Sequence, residues 1–297
     1  MSFVAPSRRL ARNAEAADPF PATASLPVQS SRRVDADGDT AQPAAARALT
    51  GSSERGAPTG GEVLSSLAPA RGVPGPMLTV RPPSPPPPYY SLRVFPAADI
   101  EALTRLACAW RDVRAEVESV GADAWRAWPE RNLYRADSGM DWTVLPFAYT
   151  FPADDLTQRR WVGAACAACP RTAELLLGLG PSLRTALLSR LAPHTSLVTH
   201  EGWAQLSNHV LRLHLPLRLP GAGGMCSGVI VSNEIRYHTE GELLVFDDSL
   251  AHSGFNSHPS EARMVLIIDL ARPPLAAPGS ATGGTTRELE EFIAHVL

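Results

Sequence analysis

Between Asn208 and Leu219 apolar residues fall on every second position: Leu211, Leu213, Leu215 and Leu217 share one face, and Val210, Arg212 and His214 share the other. A period of two is that of an extended strand, whose successive side chains point to opposite sides. Met264–Leu270 alternates in the same way, and shorter strand-like runs lie at Gly228–Val231 and Leu243–Phe246. Upstream the period changes. Ile100, Leu103, Leu106, Ala107, Trp110, Val113 and Val117 recur at three- and four-residue spacing, which predicts one amphipathic helix of about five turns. Shorter helices are expected around 168–178 and 181–191, the second with Pro181 near its start and Leu183, Leu187, Leu188 and Leu191 inward. Helices followed by short strands with Gly- and Asn-rich turns point to a mostly β, α+β chain: a β-sandwich or jelly roll braced by N-terminal helices.

Composition sets the boundary of that domain. Of 28 prolines, 15 precede residue 90, whereas every tryptophan, cysteine and histidine follows residue 100. A segment so poor in large apolar side chains cannot offset its ordering entropy. Residues 1–92 therefore read as a disordered tail and 93–297 as one compact domain. The tail ends in Pro86-Pro87-Pro88-Tyr89-Tyr90, which favours polyproline II. It reads most simply as a stiff linker, and it also fits the PPxY pattern bound by WW domains, with its tyrosines exposed.

A net charge of −3 offers no basic field for nucleic acid. No apolar run approaches the roughly 20 residues of a membrane helix. No secretory signal is seen, Arg8, Arg9 and Arg12 give a weak transit-peptide pattern, and the default expectation is cytoplasmic. Four cysteines in such a context read as reduced thiols. Cys166 and Cys169 form CxxC without the strand a redox motif needs, Cys108 reads as core, and Cys226 is unassigned.

Histidine carries the chemical signal. His194, His200, His209, His214, His238, His252 and His258 all fall in the strand region. Arg212 and His214 share a strand face, an arrangement suited to binding an anion, since guanidinium forks a carboxylate and imidazole adds a directed hydrogen bond. A metal or anion pocket and a scatter of surface histidines both remain open on these grounds.

Order and spacing go further. Ser189, then His200-Glu201-Gly202, then Ser207-Asn208 and Arg212-Leu213-His214, then Phe246-Asp247-Asp248-Ser249-Leu250-Ala251-His252, then Arg263 and Asp269 to Pro273, resemble the aspartyl/asparaginyl β-hydroxylase family. Asp141-Trp142 and Cys169-Pro170-Arg171-Thr172 look like further landmarks, and the likeness is densest over 189–273. The resemblance implies a double-stranded β-helix (cupin-like) core and an oxygenase dependent on iron(II) and 2-oxoglutarate. His200 and His252 match the two iron ligands; Arg212, His214 and Arg263 match the 2-oxoglutarate contacts, and Ser189 a further hydroxyl contact. By resemblance the substrate is an Asp or Asn β-carbon in a peptide or protein. A free amino acid, a lipid acyl chain, or a silent adaptor recruiting WW-domain proteins are the competing readings.

Gly202 stands where most such oxygenases carry a carboxylate ligand, which resembles the family's animal peptide hydroxylases and implies that water fills the position; Glu201 beside it falls on the opposite face of an extended chain. The chain also departs from the pattern. Trp203-Ala204-Gln205 reads as an insertion beside the metal, Val210 replaces a substrate-gripping arginine, and Val144 replaces a glutamine. Arg135 is a candidate for another substrate arginine. Iron and cosubstrate machinery retained around a rebuilt substrate pocket is the expectation.

Overall fold

A computed structural model describes residues 85–134, 141–221 and 225–296. Arg135 and most of the expected tail lie outside the described residues. The strands are β1 (Tyr89–Tyr90), β2 (Arg126–Ala127), β3 (Trp142–Tyr149), β4 (Arg160–Trp161), β5 (Leu183–Leu191), β6 (Thr195–Ser196), β7 (Val210–Arg218), β8 (Ser227–Val231), β9 (Glu234–Tyr237), β10 (Leu244–Phe246), β11 (His252–Asn256) and β12 (Arg263–Ala271). The helices are α1 (Ala97–Cys108), α2 (Trp110–Ser119), α3 (Gly163–Ala168), α4 (Pro170–Leu177), α5 (Ala204–Ser207) and α6 (Arg287–Val296).

One sheet runs β1-β10-β7-β12-β5-β3-β2, with β4 paired to β3, and a second runs β6-β11-β8-β9. From β5 to β12 the chain passes back and forth between them, β5, β7, β10 and β12 in the first and β6, β8, β9 and β11 in the second. All pairs are antiparallel. This is the expected double-stranded β-helix, with helices packed on the outer side of the larger sheet.

The two faces of β7 do different work, as the alternation predicts. Leu211, Leu213, Leu215 and Leu217 are fully buried in one apolar cluster with Leu103, Leu106, Val113 and Val117 of α1 and α2. Burying such a side chain contributes about 1.5–3 kcal/mol. Arg212 and His214, on the other face, line a cavity between the sheets. The helical brace thus fixes the outer side of β7 while its inner side is left for polar groups.

Four expectations are corrected. The single helix over 100–117 is two, α1 and α2, parting at Ala109 (φ −90°, ψ 10°). Cys108 lies off the stripe of Leu103, Leu106 and Val113 and is exposed, not core. Residues 181–191 are not a helix: Gly180 (φ 55°) and Pro181 make a tight 3-10 turn, and β5 follows. β5 lies between β12 and β3 and is buried on both sides, so its leucines need not alternate and mimic a helical stripe. Finally, Tyr89 and Tyr90 are not free for a WW domain. They pair with β10, and the Tyr89 hydroxyl donates to the carbonyls of Val229 (2.8 Å) and Glu234 (3.0 Å). Tyrosines paired into the chain's own sheet are not presented to a WW domain, and the Pro88 carbonyl accepts from Asp247 N–H (3.1 Å) beside them.

Candidate functional site

His252 opens β11, and His200 lies on the segment between β6 and α5. Their backbones exchange both hydrogen bonds, His200 N–H to His252 carbonyl at 2.9 Å and the reverse at 2.8 Å. That double bond sets the imidazoles side by side, ring centres 4.4 Å apart. Each Nδ1 is anchored by its own chain: His200 Nδ1 to the Val198 carbonyl (2.7 Å), His252 Nδ1 to the Leu250 carbonyl (2.8 Å). A carbonyl only accepts, so each Nδ1 carries a proton, and Nε2 is the nitrogen through which either ring would meet a metal. Burial, then the neighbouring His200, drive the His252 pKa down to about 3, so the ring is neutral. Two imidazoles tethered through Nδ1, with Nε2 left for coordination, suit a divalent metal.

Gly202 follows two residues later, and the reason for glycine is visible. A Cβ there would stand 2.1 Å from Oδ2 of Asp248. A carboxylate from the segment before β11 occupies the space that a side chain at 202 would take. Asp248 Oδ1 lies 3.2 Å from His252 Nε2 and accepts from Arg212 Nη1, while Oδ2, fully buried, has no partner among the described residues. Burial pushes this carboxyl upward, against the pull of Arg212. Among the described residues no three His, Cys, Asp or Glu side chains form a complete metal cage. The donor set is two imidazoles, with an unpartnered carboxylate oxygen at hand; it fits an ion that completes its shell from solvent and ligand.

Arg263, at the start of β12, is only 1% exposed, and its Nε and Nη1 have no hydrogen-bond partner. Burial without a counter-charge pushes this guanidinium down to about 9. A buried cation left so demands an anion. Arg212 behaves differently: its Nε and Nη2 grip the two oxygens of Asp269 (2.8 and 2.9 Å) and its Nη1 reaches Asp248. Most of its charge is therefore spent on fixed carboxylates. Ser189 accepts from Trp142 Nε1 (3.1 Å). His214 is buried, and burial and nearby His238 and Arg263 hold its pKa well below the usual value.

All six residues singled out from the sequence, Ser189, His200, Arg212, His214, His252 and Arg263, line one cavity of about 40 Å³. A second chamber of about 230 Å³ shares His200, Arg212, Trp142 and Ile267 with it. Its wall is a stack of indoles, Trp128 on Trp142 (4.7 Å) and on Trp203 (5.9 Å). The inserted Trp203 thus builds the chamber and leaves His200 beside His252. Val210 is buried with Ala153 and Leu206, and Val144 with Trp142 and Leu191; neither lines the chamber.

The family model described as aspartyl/asparaginyl beta-hydroxylase matches residues 108–273, more than half the chain. The chain belongs to the aspartyl/asparaginyl beta-hydroxylase family. Over 106 residues it is 36% identical to an ornithine lipid ester-linked acyl 2-hydroxylase of Rhizobium tropici, covering 36% of each chain. Over 162 residues it is 34% identical to the rat aspartate beta-hydroxylase domain-containing protein 2, covering 49% of this chain and 44% of that one. The mouse aspartyl/asparaginyl beta-hydroxylase is 33% identical over 115 residues, 37% of this chain and 15% of that one. The match thus spans less than half the length of these curated relatives. Among solved structures, a Pseudomonas putida prolyl-4-hydroxylase overlaps 62% of this chain and 90% of its own, with 14% identity and a TM-score of 0.31.

Sequence reasoning missed three members of the site. Asp248 and Asp269 stood in quoted motifs but had no role, because nothing in a linear motif says which arginine a carboxylate meets. His238 was one of seven histidines, and only the fold sets it against His214.

Proposed function

We propose that this hydroxylase-family chain is an iron(II)- and 2-oxoglutarate-dependent oxygenase that hydroxylates an unactivated carbon. The observation that carries the reading is Arg263: a buried guanidinium with two idle donor nitrogens, in the same cavity as two imidazoles tethered through Nδ1. His200 and His252 would hold the metal, with Asp248 facing the same space. Arg263 would pair a carboxylate of the oxo acid, with His214 and Ser189 supplying directed hydrogen bonds. Asp269 and Asp248 hold Arg212 at the junction of the two chambers. Iron(II), when bound, would activate dioxygen, so that one oxygen atom enters succinate as 2-oxoglutarate loses carbon dioxide and the other enters a C–H bond. The tryptophan wall keeps water from the target carbon.

For the substrate, the larger chamber favours an apolar chain. Arg212 is its one cationic lining residue among those described, and that guanidinium is already shared by two aspartates. An Asp carboxylate would find no other cation among the described lining residues, whereas an acyl chain would lie along Trp128, Trp142, Trp203, Leu187 and Ile267. The acyl hydroxylase among the relatives supports this arm. The aspartyl/asparaginyl β-carbon is the second reading, supported by the family description. Incubation with iron(II), 2-oxoglutarate and oxygen, followed by mass spectrometry, tests both. A 16 Da gain on acyl-bearing lipids with matching succinate is expected. A gain confined to Asp- or Asn-containing peptides would overturn the acyl arm, and no succinate with any substrate would overturn the whole reading.

A further inference from the structure

His214 does not stand alone. Its Nδ1 lies 3.1 Å from Nε2 of His238, just after β9, and His238 Nδ1 lies 2.8 Å from the Ser227 hydroxyl at the start of β8. All three are buried, with exposures of 5%, 4% and 2%. Burial and the nearby Arg263 hold both imidazoles far below their ordinary pKa, so each is neutral and carries one N–H. The chain of bonds then has two directions, and they differ at its far end. In one, His214 shows the cavity a proton on Nε2; in the other, a lone pair.

The hydroxyl decides. Among the described residues the Ser227 Oγ has one hydrogen-bond partner, His238 Nδ1. Were Ser227 to accept there, its own buried proton would be left without an acceptor, an arrangement folded proteins avoid. Donating satisfies it. His238 then takes its proton on Nε2 and donates to His214 Nδ1, and His214 in turn carries its proton on Nε2. That nitrogen forms no hydrogen bond among the described residues, and His214 lines the cavity together with Arg263.

We propose that Ser227 and His238 are a positioning relay that holds His214 with its proton on Nε2, so that the ring donates to a carboxylate paired with Arg263. The inference rests on the reading of this cavity as an oxo-acid site. Without the relay, His214 is free to turn a lone pair toward a negative charge. The two roles at this end of the cavity are then distinct: Arg263 supplies charge, and the relay supplies direction.

Two measurements on the whole chain test it. Long-range 1H–15N spectra of histidine-labelled, metal-free protein should show His214 as the Nε2–H tautomer, lost or mixed in Ser227→Ala and His238→Leu and kept in Ser227→Thr and His238→Gln. Anaerobic titration of 2-oxoglutarate with Mn(II) in place of iron should give about tenfold weaker binding in Ser227→Ala and His238→Leu, the loss of one hydrogen bond to a charged group. Mn(II) affinity should stay unchanged, and the two conservative variants should bind as the wild type does. An Nδ1–H tautomer in the wild type overturns the relay, as does unchanged 2-oxoglutarate affinity in Ser227→Ala, and both leave the oxygenase reading standing. A wild type that takes Mn(II) but no 2-oxoglutarate overturns that reading instead, and the carboxylate half of the inference with it.

Discussion

At the residue scale, Arg263 and Gly202 are the most telling positions. Arg263 is held at a cost, since its guanidinium is buried with no anion beside it. Arg263→Met should therefore raise the stability of the ligand-free protein, by on the order of 1–4 kcal/mol, as when buried charges give way to apolar side chains of similar volume. In the same variant 2-oxoglutarate binding should fall by about 2–5 kcal/mol, the penalty for truncating one partner of a buried charge pair. Melting curves with and without 2-oxoglutarate check both halves; a destabilised variant that still binds would contradict them. Gly202→Ala has no room, because Asp248 Oδ2 and Ser207 Cβ lie 2.1 and 2.8 Å from the added carbon. The variant is expected to displace Asp248 and lower metal affinity, read by Mn(II) titration. For the same reason Gly202→Asp should not create a working third ligand while Asp248 is in place.

At the scale of elements, much was legible where one side of a segment is wet or polar and the other apolar. β7 announced itself through its leucines, and the same alternation put Arg212 and His214 together on the cavity side. β5 was illegible for the opposite reason: with neighbours on both edges and cover on both faces, its leucines carry no period of two. Tyr89 and Tyr90 were misread because a proline run looks alike whether it floats or ends in a strand. That Ser189, His200, Arg212, His214, His252 and Arg263 would gather in one place was legible from motif order, while the carboxylates they meet needed three dimensions. One prediction belongs here. Trp203, at the start of α5, stacks on Trp128 and donates to Glu130 (3.3 Å), as Trp128 does (3.2 Å). Trp203→Ala should raise KM for an apolar substrate and leave the 2-oxoglutarate Kd unchanged; a change in the latter alone would move Trp203 out of the substrate wall.

At the scale of the whole molecule, the interior of the β-helix is loaded with neutral histidine. His214, His238 and His252 all have pKa values lowered by burial. An unfolded chain protonates these rings below about pH 6.5, while the fold keeps them neutral, so stability falls as pH drops through 6.5, by up to about 1.4 kcal/mol per pH unit for each. Asp248 and Asp269, raised by burial, act in the opposite sense. Comparing wild type with His238→Gln isolates the histidine part: the variant should lose less stability between pH 7 and 5, and parallel curves would contradict the account.

The claim on which the rest depends is that the two sheets bring His200 and His252 together around a metal beside a carboxylate-binding guanidinium. Anaerobic addition of iron(II) and then 2-oxoglutarate tests it most directly. A weak visible metal-to-ligand charge-transfer band should appear in the wild type and vanish in His252→Ala and Arg263→Ala. No band in the wild type, or one that survives the loss of His252, would contradict the account.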